Sequence, residues 1–145
     1  MSQIDATDFA SLKAAVEARS NEELVNDIQQ QEGGVDGVLE KVFDGMSGSF
    51  NPKKAAGQQA VVQYEITAPD GSHEYAMRIA GGRCEIDKGR AESPRVTIHT
   101  GLADFLRLIT GNANGVTLLM TGKLKVGGEL FFAQTYQSWF DRPDS

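Results

Sequence analysis

The side chains in this sequence best suited to nucleophilic, acid–base or metal chemistry are two histidines and one cysteine. His73 follows a Pro-Asp-Gly turn, and His99 lies in the polar register of a short alternating segment. We therefore predict that both are solvated or hydrogen-bonded surface histidines. Cys84 lies in the apolar register of another segment, which predicts a buried, inert thiol. None of these residues has the spacing of metal ligands, so we predict neither a metal centre nor covalent catalysis.

Other residue types common in enzymes lack suitable partners. Gly115 and Gly122-Lys123 are spaced wrongly for a phosphate-binding loop, and Leu124 stands where serine or threonine would bind magnesium. Asp104 and Glu129 lie in the first turns of predicted helices, where a carboxylate interacts favourably with the helix dipole. We therefore predict no enzymatic activity and no cofactor.

Basic residues leave two interpretations open. Lys123 and Lys125 alternate with apolar residues and share one side of a predicted strand. They could belong to a solvated outer sheet face, or they could bind an anionic headgroup or a coenzyme A phosphate. Further basic residues are scattered over the neighbouring predicted strands, namely Arg78, Arg83, Lys88, Arg90 and Arg95.

The C-terminal segment is unusually apolar for the last helix of a small protein. Phe132, Tyr136, Trp139 and Phe140 fall on one face of a helix, and Leu130 with Phe131 adds apolar surface beside that face. Such a helix is either deeply buried or in contact with something apolar that is not protein.

The same segment resembles the C-terminal signature of the sterol carrier protein 2 (SCP2) family, which reads Gly-Lys-Leu-Lys-Val-x-Gly before an apolar helix. Similar features precede it in the family's order: Val96–Thr100, the Asp-Phe-Leu helix of Ala103–Gly111, and Ala60–Ile66 with its Pro-Asp-Gly turn. The resemblance covers residues 35–140. It implies an apolar tunnel between sheet and helices, closed by the C-terminal helix, that binds fatty acids, fatty acyl-CoA, phospholipids or sterols unchanged.

The periodicity of the chain predicts an α+β fold. Helical stripes occupy residues 8–18, 21–32 and 35–46, a capping box starts the second helix at Ser20, and Asn51-Pro52 begins a short one that ends by Gly57. We place Gly48 beyond the third helix. Four alternating segments between residues 60 and 100 predict an antiparallel meander, and a fifth strand follows two further helices. We predict a five-stranded, mostly antiparallel sheet with helices packed on one face, preceded by an N-terminal helical extension.

Composition excludes several classes of partner. The net charge of −6 argues against nucleic acid binding and allows at most transient membrane contact. The first residues lack the features of a secretory signal, the last do not read as a peroxisomal address, and a single cysteine fits a reducing compartment, so we expect a cytoplasmic protein.

We divide the chain into a helical extension, residues 1–34, and an SCP2-like domain, residues 35–145. The extension could cover the tunnel mouth, narrow the tunnel, or pair two subunits as a homodimer.

We predict a non-enzymatic carrier that binds and transfers lipids in this tunnel. Its expected lining combines residues of the last three helices and the fifth strand: Phe105, Leu106, Ile109, Val116, Met120, Leu124, Val126, Phe132, Tyr136 and Phe140. A second hypothesis is a protein-interaction module whose tunnel is filled by its own side chains. Such a module would act as a dimer or as an accessory to a lipid-metabolising enzyme.

Overall fold

A five-stranded sheet forms the centre of the fold. In the computed structural model, which describes residues 8–140, the strands run from Ala60–Ala68 (β1), Gly71–Ala80 (β2), Arg83–Lys88 (β3), Val96–Gly101 (β4) and Leu124–Gly128 (β5). The side chains of Leu130, Gln134 and Gln137 are not described. Residues 1–7 and 141–145 lie outside the described residues, and the predictions about targeting signals rest largely on them. The strand order is β3-β2-β1-β4-β5, with only β1 and β4 parallel. The predicted α+β, mostly antiparallel sheet is confirmed.

The predicted four-strand meander is wrong in its last strand. β4 does not pair with β3 but crosses the sheet to lie parallel to β1. The connection between them is held by Gln63, which is 1% exposed, donates to the carbonyl of Gly89 at 3.0 Å and accepts from the amide of Ala91 at 2.7 Å. The amide of Arg95 then donates to the carbonyl of Val61 at 2.8 Å. These hydrogen bonds hold the connection across β2 and β1, so that β4 begins on the far side of β1.

Seven helices are present within residues 8–140, and the predicted starts of the second and fourth are confirmed, whereas the second ends at Gln29, earlier than expected. The capping box between Ser20 and Glu23 is formed in both directions, and Asn51 caps the short helix that Pro52 begins. Gly48 is the last residue of the third helix and does not lie beyond it as expected. The helices are α1 (Phe9–Glu17), α2 (Asn21–Gln29), α3 (Gly34–Gly48), α4 (Pro52–Ala55), α5 (Leu102–Ile109), α6 (Gly115–Met120) and α7 (Leu130–Gln137).

The two faces of the sheet differ in chemistry. The inner face carries alternating apolar residues such as Val62, Met77 and Ile98, which α3, α5 and the other helices cover. The outer face carries ion pairs, including one between Arg90 and Glu74 at 2.5 Å. Because the helices cover one face alone, any apolar ligand site must lie between that face and the helices.

The N-terminal helices share this core. Leu12 and Val16 of α1 and Leu24 and Ile28 of α2 are buried within the same apolar cluster as the sheet. The guanidinium of Arg107 in α5 donates to the carbonyl of Val16 in α1 at 3.3 Å and to that of Arg19, just after α1, at 2.8 Å. The apolar stripes of the extension are therefore occupied inside the chain.

Candidate functional site

Four rings fill the space between the centre of the sheet and the helices α3 and α5. The ring of Phe43 lies 5.2 Å from that of Tyr64, 4.9 Å from that of Tyr75 and 5.4 Å from that of Phe105, measured between centroids. These distances are those of favourable aromatic pairs. Phe105 and Leu106 have no accessible surface, so no water-sized space adjoins them. This part of the interior is packed by the protein itself.

A second aromatic cluster lies under α7. Phe132 stacks on Tyr136 at 6.0 Å and meets the edge of Trp139 at 5.4 Å. The ring of Phe140 lies 5.5 Å from that of Tyr136 and 5.7 Å from that of Phe50, and Phe140 also forms a β-bridge with Phe50. The cluster therefore extends to Phe50, two residues after α3. α7 also packs on β4 and β5. The helix and its aromatic cluster therefore form a roof over the β5 side of the sheet.

Polar contacts hold both ends of this roof. The Arg95 guanidinium stands 3.9 Å above the Phe132 ring and its Nε donates to the Glu129 carboxylate at 3.0 Å. After α7, the amide of Asn51 donates to the carbonyl of Trp139 at 2.7 Å. The roof is thus fastened at its start by Arg95 and just after its end by the segment that joins α3 to α4.

The structure separates the ten predicted lining residues into three groups. Five are buried at the inner face of the sheet or under the roof: Phe105, Leu106, Leu124, Phe132 and Tyr136. Three are partly buried: Ile109, Val126 and Phe140. Two lie on the surface of α6, where Val116 is 56% and Met120 81% exposed. The candidate site is therefore the inner face of β4 and β5, bounded by α5, α6 and α7, with Ile109, Val126 and Phe140 at its accessible margin.

Sequence reasoning missed two contributors to this region and recognised a third only as apolar surface. Phe43 was visible in the apolar stripe of α3, but nothing in the sequence indicated that its ring meets Phe105. Arg95 gave no signal that it would cover Phe132. Phe131 was recognised as apolar surface off the main stripe, and it is 84% exposed.

A polar network at the start of α3 joins this helix to the sheet. The two ring nitrogens of His73 each lie 2.8 Å from a carboxylate, Nδ1 from Asp36 and Nε2 from Asp70, and the Tyr75 hydroxyl donates to Asp36 at 2.7 Å. Lys88 adds an ion pair to Asp36 at 3.3 Å. His73 is hydrogen-bonded, as predicted, but its side chain is only 10% exposed and does not lie on the surface as expected.

The pKa values of this network follow from its contacts. Burial alone would raise the pKa of Asp36, but hydrogen bonds from Tyr75, His73 and Lys88 outweigh it and lower this pKa to about 2. For His73 the signs are reversed: burial alone would lower its pKa, but its hydrogen bonds and charge interactions with Asp70 and Asp36 raise it. An ionised carboxylate can only accept a hydrogen bond, so a ring nitrogen of His73 donates to its neighbouring carboxylate when that nitrogen carries a proton.

Other groups with potential chemistry are also satisfied or inactive. Burial raises the pKa of the Cys84 thiol to about 11, which keeps it protonated at neutral pH. His99 lies 3.4 Å from Glu65 on the outer face. Among residues 8–140, no three histidine, cysteine, aspartate or glutamate side chains are arranged to hold a metal ion.

A shallow, open pocket of about 400 Å³ lies on the outer face of the sheet, beneath the segment that joins β3 to β4. Arg78 and Arg90 line it, but Arg78 is paired with Asp87 and Arg90 with Glu74, each at 2.5 Å. Lys123 and Lys125 are exposed beside the opposite edge of the sheet. The outer pocket thus lies on the opposite face of the sheet from the apolar site, and its arginines are already paired with carboxylates.

Comparison with protein families matches residues 40–141 to the family described as the SCP-2 sterol transfer family. Among curated protein sequences, none is significantly similar to this chain. In the part of the chain that the structure describes, no helix has both the length and the apolar character needed to cross a membrane.

Several solved structures share the fold. The sec-alkylsulfatase Pisa1 from Pseudomonas sp. is 15% identical with a TM-score of 0.64, covering 72% of this chain, which spans only 16% of the sulfatase. Palmitated SCP2L2 from Aedes aegypti is 22% identical with a TM-score of 0.56, covering 72% of this chain and 96% of that one. Apo sterol carrier protein 2 from Yarrowia lipolytica is 22% identical with a TM-score of 0.53, covering 66% and 90%.

Proposed function

This chain belongs to the SCP-2 sterol transfer family, and from that premise we propose that it binds single lipid molecules and transfers them without chemical change. The observation that carries the proposal is the apolar inner face of β4 and β5 under the aromatic roof of α7. Fatty acids, fatty acyl-CoA, phospholipids and sterols are the ligand classes we propose. The relative described as palmitated supports an acyl chain as one ligand of this fold.

Entry of a ligand requires the roof to move. Phe132 and Tyr136 are 5% and 1% exposed, so an acyl chain can reach Leu124 only if α7 separates from the sheet. Polar contacts that tie the roof include those of Arg95 with Glu129 and of Asn51 with Trp139. We therefore propose that α7 is the gate and that Ile109, Val126 and Phe140 form the first apolar contacts inside it.

The energetics allow such a carrier. Burial of each methylene is worth about 0.8 kcal/mol, so a sixteen-carbon chain gains roughly 12 kcal/mol before any cost. Immobilising the ligand and displacing α7 offset a large part of that gain. Micromolar to nanomolar affinity is the expected range. Because Val116 and Met120 are exposed, we propose that they contribute to the rim of the site and not to its wall.

A second candidate is an interaction module with a filled interior. It is favoured by the three rings packed around Phe43 and by the sulfatase, in which a unit of this fold is part of a much larger enzyme chain. In this function the chain would act as a dimer or as an accessory to a lipid-metabolising enzyme.

Native mass spectrometry of the purified protein separates the two candidates. The carrier predicts adducts with the masses of lipids on the wild type, and their loss from Val126→Trp, which fills the margin of the site. The matched control is Val25→Trp, because Val25 is a partly buried valine on α2, away from β5. A wild-type protein without adducts that is a stable dimer or retains a protein partner would instead support the module.

A further inference from the structure

Three large apolar side chains are exposed in the described part of the chain, and all belong to the helices next to β5. Val116 and Met120 lie one turn apart on the same face of α6, and Phe131 is in the first turn of α7. α6 leads into β5 and α7 follows it, and β5 is an edge strand. The large exposed apolar side chains of the described residues therefore lie on the two helices that flank the edge strand β5.

The same edge differs in charge from the rest of this acidic chain. No acidic residue occurs between Asp104 and Glu129, whereas Lys123 and Lys125 are both exposed there. Within residues 8–140, neither lysine forms an ion pair with a carboxylate. The third basic residue of this stretch, Arg107, instead donates to α1 and the residues after it. Two ammonium groups without a carboxylate partner among the described residues thus lie on or next to the same edge strand that α6 and α7 contact.

We propose that this edge, defined by Val116, Met120, Phe131, Lys123 and Lys125, docks on the surface of an anionic lipid bilayer. Apolar side chains flanked by lysines suit such a surface, because the side chains enter the acyl boundary while the lysines contact the headgroups. The purpose of docking rests on the proposed lipid transfer: the edge adjoins the roof formed by α7, so a lipid can pass to the site without crossing water.

A second copy of this chain is the alternative occupant of the edge, since an unpaired edge strand can add a strand from another molecule. A symmetric dimer through β5 would place Lys123 and Lys125 near their own copies, and the like charges repel. An anionic bilayer meets the same lysines with opposite charge. Charge complementarity therefore favours the bilayer.

Vesicle flotation with the full chain tests the docking without any added ligand. Vesicles of phosphatidylcholine alone are compared with vesicles that also contain phosphatidylserine. We expect the wild type to float with the anionic vesicles and to be released by salt. Lys123→Gln/Lys125→Gln should weaken binding about fivefold per lysine, and Phe131→Gln about tenfold. The matched control is Lys41→Gln/Lys53→Gln, which removes equal charge from exposed sites elsewhere and should bind as the wild type does.

Three results would overturn the docking proposal. The wild type could fail to float with either vesicle, or the control could lose as much binding as Lys123→Gln/Lys125→Gln. Sedimentation could also show a dimer that Phe131→Gln dissociates while vesicles stay unbound, which would assign the edge to a second copy. Displacement of a fluorescent fatty acid in solution, measured on the same lysine variant, is expected to match the wild type. If the wild type binds no fluorescent fatty acid but still floats with anionic vesicles, the proposed lipid binding is overturned and the docking stands.

Discussion

Two adjacent phenylalanines provide the sharpest test of the role of α7. Phe132 is 5% exposed and packs against Tyr136, Trp139 and the guanidinium of Arg95, whereas Phe131 is 84% exposed. Removing a tightly packed phenylalanine side chain costs about 3–5 kcal/mol, and the three contacts place Phe132→Ala in the upper half of that range. Phe131→Ala should change the free energy of unfolding by less than about 0.5 kcal/mol, because an exposed ring loses little and alanine favours the helix.

Urea unfolding followed by far-UV circular dichroism measures both changes, and fluorescence of Trp139, the single tryptophan, reports the roof itself. If Phe132→Ala costs less than about 1 kcal/mol, or if both variants cost the same, the packing described for α7 is refuted. The same pair tests the gate. A large stability loss in Phe132→Ala with unchanged affinity and chain-length preference for fatty acids would show that α7 is an ordinary core helix.

Two further predictions concern single positions. Gly128 has a φ of +90°, and a Cβ there would lie 2.5 Å from the carbonyl oxygen of Arg95, so Gly128→Ala should destabilise the fold by about 2–4 kcal/mol. Gly127→Ala, whose Cβ would meet only ordinary contacts, should cost less than about 1 kcal/mol in the same urea titration, and equal costs would contradict the geometry. The raised pKa of His73 means that its pairing with Asp36 stabilises the fold fully below about pH 6.5 and is lost as pH rises through the folded pKa. Unfolding free energies of His73→Gln and wild type should therefore differ more at about pH 5.5 than at pH 9, while the low pKa of Asp36 keeps it ionised at both; a constant difference would refute the pairing.

Local features of the fold could be predicted where neighbouring residues determine them. The capping box at Ser20 and the cap at Asn51 depend on side chains within three residues, and both are formed. The alternation of Lys123 and Lys125 with Leu124 predicted which side chain is buried, because strand period alone decides this. Sequence order, together with the family resemblance, also placed the C-terminal helix after the last strand.

Features that depend on distant residues could not be predicted in the same way. Alternation shows which side chains of β4 point inward, but its place beside β1 depends on Gln63 holding the preceding segment. Val116 and Met120 were predicted to line the tunnel and are exposed on α6, because whether a helix face is covered depends on its tertiary neighbours. The partners of His73 include Asp36 on another element, which no local pattern indicates.

The central claim is that the site under α7 holds a lipid, and displacement of a fluorescent long-chain fatty acid from the purified protein tests it most directly. The account predicts saturable binding of one probe per chain, with micromolar or tighter affinity, and competition by an unlabelled fatty acid, fatty acyl-CoA, phospholipid or sterol. Absence of probe binding, or a bound probe that none of these lipids displaces, would contradict it.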